Sequence, residues 1–376
     1  MDDLEVFFLC DSCQRAESVA HRLADFLSRA QKSIDISIYS FKLSPALSDI
    51  VAGALRERQK AGVTIRIAYD AALNPEAPIP SEDDFSKWST PDYVRSLGFT
   101  SKPILGERAL MHNKYVIVDD GTSNAAVWTG SANFNDDGWS LQDNNILILR
   151  TQRMAGIYTY DFNDLWKDGL VQSDAVNDSG EETLEYKGRP AHVVVNFSPC
   201  EGEWIDQSIA NQIERTQQRV TLAFPVLTSG NLLEALTGLM KRGIPFDGVY
   251  DQTQMEGVKY QWEQVPDNHW KIGTFAEIVE YGHLVPKKTI QWTATSTHDF
   301  MHNKVMVLDD TVVTGSYNFS RHAQSNAENS LMITSEPLAE TYRDYIDTLK
   351  TKYADWTGRE VDPRQDGGRK GSKVEP

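Results

Sequence analysis

The sequence predicts an α/β protein built from two related halves. Three observations predict it: a long motif that occurs twice, matching segments upstream of each copy, and alternating helical and strand periodicities. The first copy is Met111-His112-Asn113-Lys114-Tyr115-Val116-Ile117-Val118-Asp119-Asp120, and the second is Met301-His302-Asn303-Lys304-Val305-Met306-Val307-Leu308-Asp309-Asp310. Each is trailed by a matching run, Thr129-Gly130-Ser131-Ala132-Asn133-Phe134 and Thr314-Gly315-Ser316-Tyr317-Asn318-Phe319. Upstream, Ala61 to Asp70 matches Arg242 to Asp251, ending in Tyr69-Asp70 and Tyr250-Asp251.

The elements follow the same order in each half. Val19, Leu23, Phe26 and Leu27 recur at helical spacing, which predicts a helix over 18–30. Ile34, Ile36 and Ile38 alternate with polar residues, which predicts a strand over 34–39. A second helix over 47–60 is stopped at Gly62, and a strand over 63–68 follows. The second half repeats the series as helix 205–215, strand 220–224, helix 232–241 and strand 246–250. The predicted domains are 1–170 and 189–356. The stretch 171–188, rich in Asp, Ser, Glu and Gly, reads as an exposed linker, and 357–376, rich in Gly, Lys and Arg, as a disordered tail.

Composition bounds the function. The chain has 376 residues, of which 40% are hydrophobic, enough for two cores. Asp and Glu number 54 against 37 Lys and Arg, a net charge of -17. A surface of that sign does not draw in phosphate backbones from a distance and excludes a generally sticky DNA binder, though not a local basic site. No apolar run is long enough to span a bilayer, and Met1-Asp2-Asp3-Leu4-Glu5 does not read as a secretory signal, so a cytoplasmic location is expected. The three cysteines are Cys10, Cys13 and Cys200. Cys10 and Cys13 form a CxxC without a second pair to complete a zinc site, and are expected as plain thiols at a strand end.

The repeated motif carries the chemistry. Alternate residues of a strand share a face, so His112 projects with Lys114 and His302 with Lys304. Ser131 with Asn133, and Ser316 with Asn318, form a second such pair in each half. An imidazole, an ammonium, a hydroxyl and an amide together suit a phosphoryl group: an anion held by Lys and neutral donors beside a nucleophile. Asp119 and Asp309 have the opposite parity and are expected to serve structure, in a turn or an ion pair. A nucleophilic histidine needs an orienting acceptor on its other nitrogen. Glu328 lies ten residues beyond Asn318, and Asp143 ten beyond Asn133, so equal placement nominates both. His, Lys and Asp at this spacing arise by chance at on the order of 10⁻⁴ per position, so two copies are not coincidence. His298, on a loop four residues before His302, is weighed as a substrate-side group. Trp128, Trp139, Trp262, Trp270, Trp292 and Phe300 are weighed as base-stacking platforms, with core packing the default.

The two HxKx4D motifs, each followed by GSxN, resemble the phospholipase D superfamily over roughly 6–353. The second copy, with Gly315-Ser316-Tyr317-Asn318-Phe319-Ser320 and Asn326-Ala327-Glu328-Asn329, is most similar to the small bacterial endonuclease branch. The first copy departs at Leu141-Gln142-Asp143-Asn144. The resemblance implies two α/β/α sandwiches about a pseudo-twofold with one site at their interface. It also implies cleavage of phosphodiesters without a metal or other cofactor. By analogy with two-motif relatives, His112 is the expected nucleophile and His302 the acid/base, while Lys114, Lys304, Asn133 and Asn318 hold the charge. The expected substrate is a nucleic acid, a single strand or an end being favoured by the acidic balance. A lipid phosphodiester is the alternative, and a non-catalytic nucleic-acid-binding module the third reading. Two motifs in one chain make a monomer sufficient for one site.

Overall fold

The computed structural model describes residues 2–71, 82–172, 179–293 and 296–359. The first half runs β1 (Leu4–Leu9), α1 (Ala16–Ser28), β2 (Ser33–Ile38), β3 (Phe41–Lys42), α2 (Pro45–Lys60), β4 (Thr64–Asp70), α3 (Thr90–Ser96) and β5 (Thr100–Ile104). It continues with β6 (Lys114–Val118), β7 (Ala126–Gly130), β8 (Phe134–Asn135), α4 (Asp136–Ser140), β9 (Asn144–Leu149) and α5 (Gln152–Asp168). The second half runs β10 (Gly180–Tyr186), β11 (Arg189–Ser198), α6 (Gly202–Arg215), β12 (Val220–Phe224), α7 (Gly230–Lys241), β13 (Phe246–Asp251) and α8 (Gln252–Glu263). It ends with α9 (His269–Tyr281), β14 (Val285–Lys287), β15 (Val305–Leu308), β16 (Thr311–Gly315), β17 (Glu328–Thr334) and α10 (Glu336–Tyr353).

The two main sheets have the same plan. The first is ordered β1-β9-β7-β6-β2-β4-β5 and the second β10-β11-β17-β16-β15-β12-β13-β14. In both, a parallel trio (β2, β4, β5; β12, β13, β14) adjoins antiparallel strands that carry the motifs. The predicted helices and strands match α1, β2, α2, β4, α6, β12, α7 and β13 with ends shifted by one or a few residues. The stretch read as a linker is different: its latter part is strand β10, paired along its length with β11. Residues 173–178 of that stretch, and 360–376 of the expected tail, lie outside the described residues.

Three cores hold the molecule together. The outer face of the first sheet packs under α1 and α2 through Leu23, Leu27, Val51 and Leu55. The outer face of the second packs under α6, α7, α8 and α9 through Ile209, Leu236, Val258 and Phe275. The third core lies between the sheets and belongs to both halves, with Tyr158 and Phe162 of α5 beside Tyr342 and Ile346 of α10. Because both faces are covered, strands such as Lys-Tyr-Val-Ile-Val of β6 are buried at every position. Sharing one core fixes the halves against each other, and the site between them depends on that.

The repeated geometry of the two motifs has local causes. Asp119 and Asp309 stand at φ 54° and 51°, in turns after β6 and β15. The Asp119 carboxylate accepts from the backbone amides of Gln31, Lys32 and Ser33, and Asp309 from those of Gln217, Gln218 and Arg219. Both Asp residues therefore pin the start of the neighbouring strand and face away from the site. Burial works to raise the Asp119 carboxyl, but these hydrogen bonds outweigh it and hold it below its usual value. Gly130 and Gly315 are required by strand packing. At φ 141° and 129°, a Cβ there would lie 2.3 Å from Asn145 O and 2.4 Å from Asn329 O.

Cys10 and Cys13, expected as free thiols, are joined by a disulfide just beyond β1, with Cα atoms 5.2 Å apart. Cys200 is free and exposed. Among the described residues, no helix is long and apolar enough to cross a membrane.

Candidate active site

The site forms where each half lends a loop to the other. The Met111 loop makes a parallel bridge to Ala327, with His112 N donating to Ala327 O at 2.8 Å. The Met301 loop bridges Asp143, with His302 N donating to Asp143 O at 3.0 Å. The Tyr-Asp pair that marked the repeat explains itself here. Asp70 accepts from Met111 N at 2.9 Å, and Asp251 from Met301 N at 3.0 Å, so each aspartate sets the loop ahead of its histidine.

Both histidines precede their strands: β6 begins at Lys114 and β15 at Val305. The HxK pairing survives because the loop is held by its own lysine. Lys114 Nζ donates to His112 O at 2.8 Å, and Lys304 Nζ to His302 O at 2.9 Å. His112, Lys114, His302 and Lys304 are each exposed by 2% or less, and Ser131, Asn133, Ser316 and Asn318 are buried with them. Burial drives both imidazoles well below their ordinary pKa, and each of the two ammonium groups pushes both imidazoles further down. The opposing influence on His112 is the Ser316 backbone, and on His302 it is the Ser131 backbone. Each histidine thus faces the GSxN segment of the opposite half. Asn133 Oδ1 and Asn318 Oδ1 are buried with no hydrogen-bond partner among the described residues. Orphaned buried amides at equivalent positions leave hydrogen-bonding capacity open for a ligand.

The two histidines have different partners. His112 Nδ1 lies 2.7 Å from Glu328 Oε2, a contact that crosses between the halves. Asn326 Nδ2 donates to the other carboxylate oxygen at 3.1 Å. Burial pushes the Glu328 carboxyl up to about 8, against the pull of Lys114, Asn326, Lys304 and Ser316. His302 Nδ1 lies 3.0 Å from Asn144 Oδ1, also across the halves. Ser131 Oγ donates to the same Oδ1 at 2.7 Å, and Asn144 Nδ2 donates to Gly138 O at 3.1 Å, which fixes the amide with its oxygen toward the ring.

Asp143 does not orient His302. Its carboxylate takes Lys287 Nζ at 2.8 Å and Tyr353 OH at 2.8 Å, and accepts from Asp11 N at 3.1 Å. The spacing of ten misled because α4 lengthens the first-half connection, so the residue matching Glu328 lies eleven beyond Asn133. The register confirms the match: Ser131 N donates to Asn145 O, and Ser316 N to Asn329 O. Asp143 instead anchors the His302 side through a buried ion pair. Burial raises its carboxyl, and Lys287 acts in the opposite direction. Lys287→Met leaves the buried Asp143 without its cation and is expected to cost about 3–5 kcal/mol of stability. A urea unfolding midpoint shift equivalent to less than about 1 kcal/mol contradicts that anchoring role.

A second set of residues supports the site from the opposite half. Asn145 Oδ1 accepts from Thr314 Oγ1 at 2.9 Å and from Tyr342 OH at 3.1 Å. In the mirror arrangement, Asn329 Nδ2 donates to Thr129 Oγ1 at 3.0 Å and to Tyr158 OH at 2.9 Å. This buried belt locks the residue after each orienter to the opposite half. Its sequence signal was the threonine ahead of each GSxN, which repeats as faithfully as the serine. The other candidates fall elsewhere. The His298 ring stacks on Phe300, with centroids 5.2 Å apart, and its Nε2 meets Thr293 O at 2.9 Å. Trp128, Trp139 and Phe300 are core residues. Among the described residues, no group of three or more His, Cys, Asp or Glu side chains is placed to hold a metal ion.

Two α/β/α layers that each lend one HxK pair and one GSxN segment to a shared site define the phospholipase D type of phosphodiester chemistry. Residues 23–166 and 209–350 each match the family model described as "Cardiolipin synthase, PLD-like domain", and the chain belongs to that phospholipase D-like family. Among solved structures, it is similar to phosphatidylserine synthase from Haemophilus influenzae Rd KW20. That match has a TM-score of 0.64 at 13% identity, over 92% of this chain and 86% of that one. It is also similar to polyphosphate kinase from Porphyromonas gingivalis, with a TM-score of 0.55 at 12% identity, covering 91% of this chain and 50% of that one. At these identities the likeness shows the fold. A comparison with curated protein sequences returned no match.

Proposed function

We propose that the chain is a phosphodiesterase or phosphodiester transferase that works through a phosphohistidine on His112 and requires no metal. The observation that carries the assignment is the unequal pair of partners, Glu328 on His112 and Asn144 on His302. With Nδ1–H donated to Glu328, the His112 Nε2 lone pair is free to attack phosphorus. The resulting phosphoimidazole is cationic at Nδ1–H, and an ionised Glu328 stabilises it where a neutral amide does less. His302, on its amide, is the weaker holder of a proton and so the stronger acid. It gives its proton to the leaving oxygen, then takes one from water or an alcohol, which attacks phosphorus and releases His112. Lys114, Lys304, Asn133 and Asn318 hold the non-bridging oxygens as charge builds. Ser131 keeps the Asn144 oxygen in place, and Ser316 Oγ accepts from Asn329 N at 3.0 Å.

A lipid phosphodiester is the substrate class we favour, because the matching family model is described as a cardiolipin synthase domain. Neither that description nor the two structural neighbours name a nucleic acid. A nuclease is the second reading, favoured by the GSYNFS and NAEN runs of the second motif. Side-by-side assays in excess EDTA with phosphatidylglycerol vesicles, single-stranded DNA and RNA test both. Lipid turnover supports the first reading, nucleic-acid cleavage replaces it with the second, and loss of all activity in EDTA overturns the metal-free mechanism.

The pH dependence follows from Glu328. The attacking tautomer of His112 needs Glu328 ionised, and its carboxyl sits at about 8. His302 must in turn carry a proton on Nε2 to act as the acid, and burial holds its pKa well below ordinary, so the rate is level up to about 8 and falls above it. A kcat/KM that rises over pH 7–9 contradicts this pairing of roles for Glu328 and His302.

A further inference from the structure

A cavity of about 550 Å³ opens in the second half, lined in part by the segment that follows Asn318. One wall is the segment Ser320, Arg321, His322 and Ser325, which runs between Asn318 and Glu328, both of them site residues. The other walls come from α8 and α9 and from the loop after β12, with Val226, Val258 and Trp262 supplying apolar surface and Lys271 a cation. No Asp or Glu is among the described lining residues, in a chain with a net charge of -17. The Arg321 guanidinium is exposed and makes no hydrogen bond or ion pair with any described residue. Lys271 Nζ donates to Thr228 O at 3.0 Å, which holds it at the cavity wall. Its pKa is lowered by burial and then by the charge of Arg321, with Asp206 a smaller opposing influence.

Two cations that repel each other, turned into one cavity without a carboxylate, form a site for an anion. Arginine with lysine, hydroxyls and the Asn268 amide fits the oxygens of a phosphate. We infer that this cavity binds a second phosphate of the substrate, carried on the same molecule as the phosphodiester at the histidines. The apolar wall around Trp262 takes the uncharged body that joins the two. This rests on the phosphodiester reading of the histidine site. The same chemistry is offered by a nucleotide and by a phosphorylated lipid headgroup.

Matched substrate pairs test it. One pair is thymidine 5′-(4-nitrophenyl phosphate) with and without a 3′-phosphate; the other is phosphatidylglycerophosphate and phosphatidylglycerol in micelles. The wild-type chain is expected to prefer the doubly phosphorylated member, and the pair in which it does so distinguishes the nucleotide from the lipid source. Arg321→Gln, at an exposed position, is expected to lower the kcat/KM ratio within that pair about tenfold, which is about 1.4 kcal/mol. An unchanged ratio overturns the inference. Calorimetric titration with inorganic pyrophosphate reads the cavity independently of turnover. Arg321→Gln and Lys271→Met are each expected to weaken one binding event about tenfold, even if no diester is turned over, and that combination would sink the diester reading alone. Titrations identical to wild type in both variants overturn the cavity's role alone.

Discussion

His112→Ala lowers turnover at least ~10⁴-fold on any phosphodiester the wild type accepts, while leaving the fold intact. Loss of a nucleophile costs the whole covalent route, and what remains is the contribution of binding and charge stabilisation. The fold tolerates the change because His112 is held through main-chain contacts to Ala327 and Lys114, which alanine keeps. The imidazole is buried and largely uncharged, so its removal leaves no unpaired charge except on Glu328, which burial already disposes to hold a proton. Far-UV circular dichroism and an unfolding curve check the fold, and initial rates check the loss. A variant with wild-type turnover removes His112 from the mechanism.

Glu328→Gln is the second large effect. The substitution keeps the shape but replaces the carboxylate on His112 with an amide. It makes the first motif's partner resemble the second's, where Asn144 already faces His302. Changing a buried orienting carboxylate to its amide at a histidine lowers turnover by roughly 10²–10⁴ in comparable sites. The loss belongs in kcat, and the limb of the pH profile at about 8 disappears with the titrating group. If Glu328→Gln alters only KM, the carboxylate serves binding and not the histidine.

The sequence displayed the repeat, the order of elements and the eight residues of the two HxK and GSxN sets, because these depend on local spacing. Apolar periodicity located α1, β2, α2 and their second-half equivalents for the same reason. The partners of the histidines were harder to read. Glu328 was nominated, but its attachment to His112 spans 216 residues and depends on two halves docking, which no spacing encodes. Asn144 was passed over for Asp143 because α4 adds length between Asn133 and β9, and because an acid was expected where an amide stands. Strand β10 was read as a linker because its outer face is polar, as an edge strand's solvent side must be. The Tyr158 and Tyr342 contacts to the opposite half were invisible for a further reason. Each side chain's apolar body satisfies helical periodicity on its own, and its hydroxyl finds the partner only in three dimensions.

In the proposed mechanism, the asymmetry between Glu328 and Asn144 puts the covalent intermediate on one half of a nearly symmetric molecule, and that placement can be measured. His302→Ala keeps the nucleophile but lacks the base that takes a proton from the attacking water or alcohol in the second step, so an adduct should accumulate. The chain is mixed with substrate, quenched at alkaline pH to preserve phosphohistidine, digested and mapped by mass spectrometry. The account predicts an adduct on the peptide that carries His112, absent from His112→Ala/His302→Ala. An adduct formed in the wild type on His302, or on Ser131 or Ser316, would contradict it.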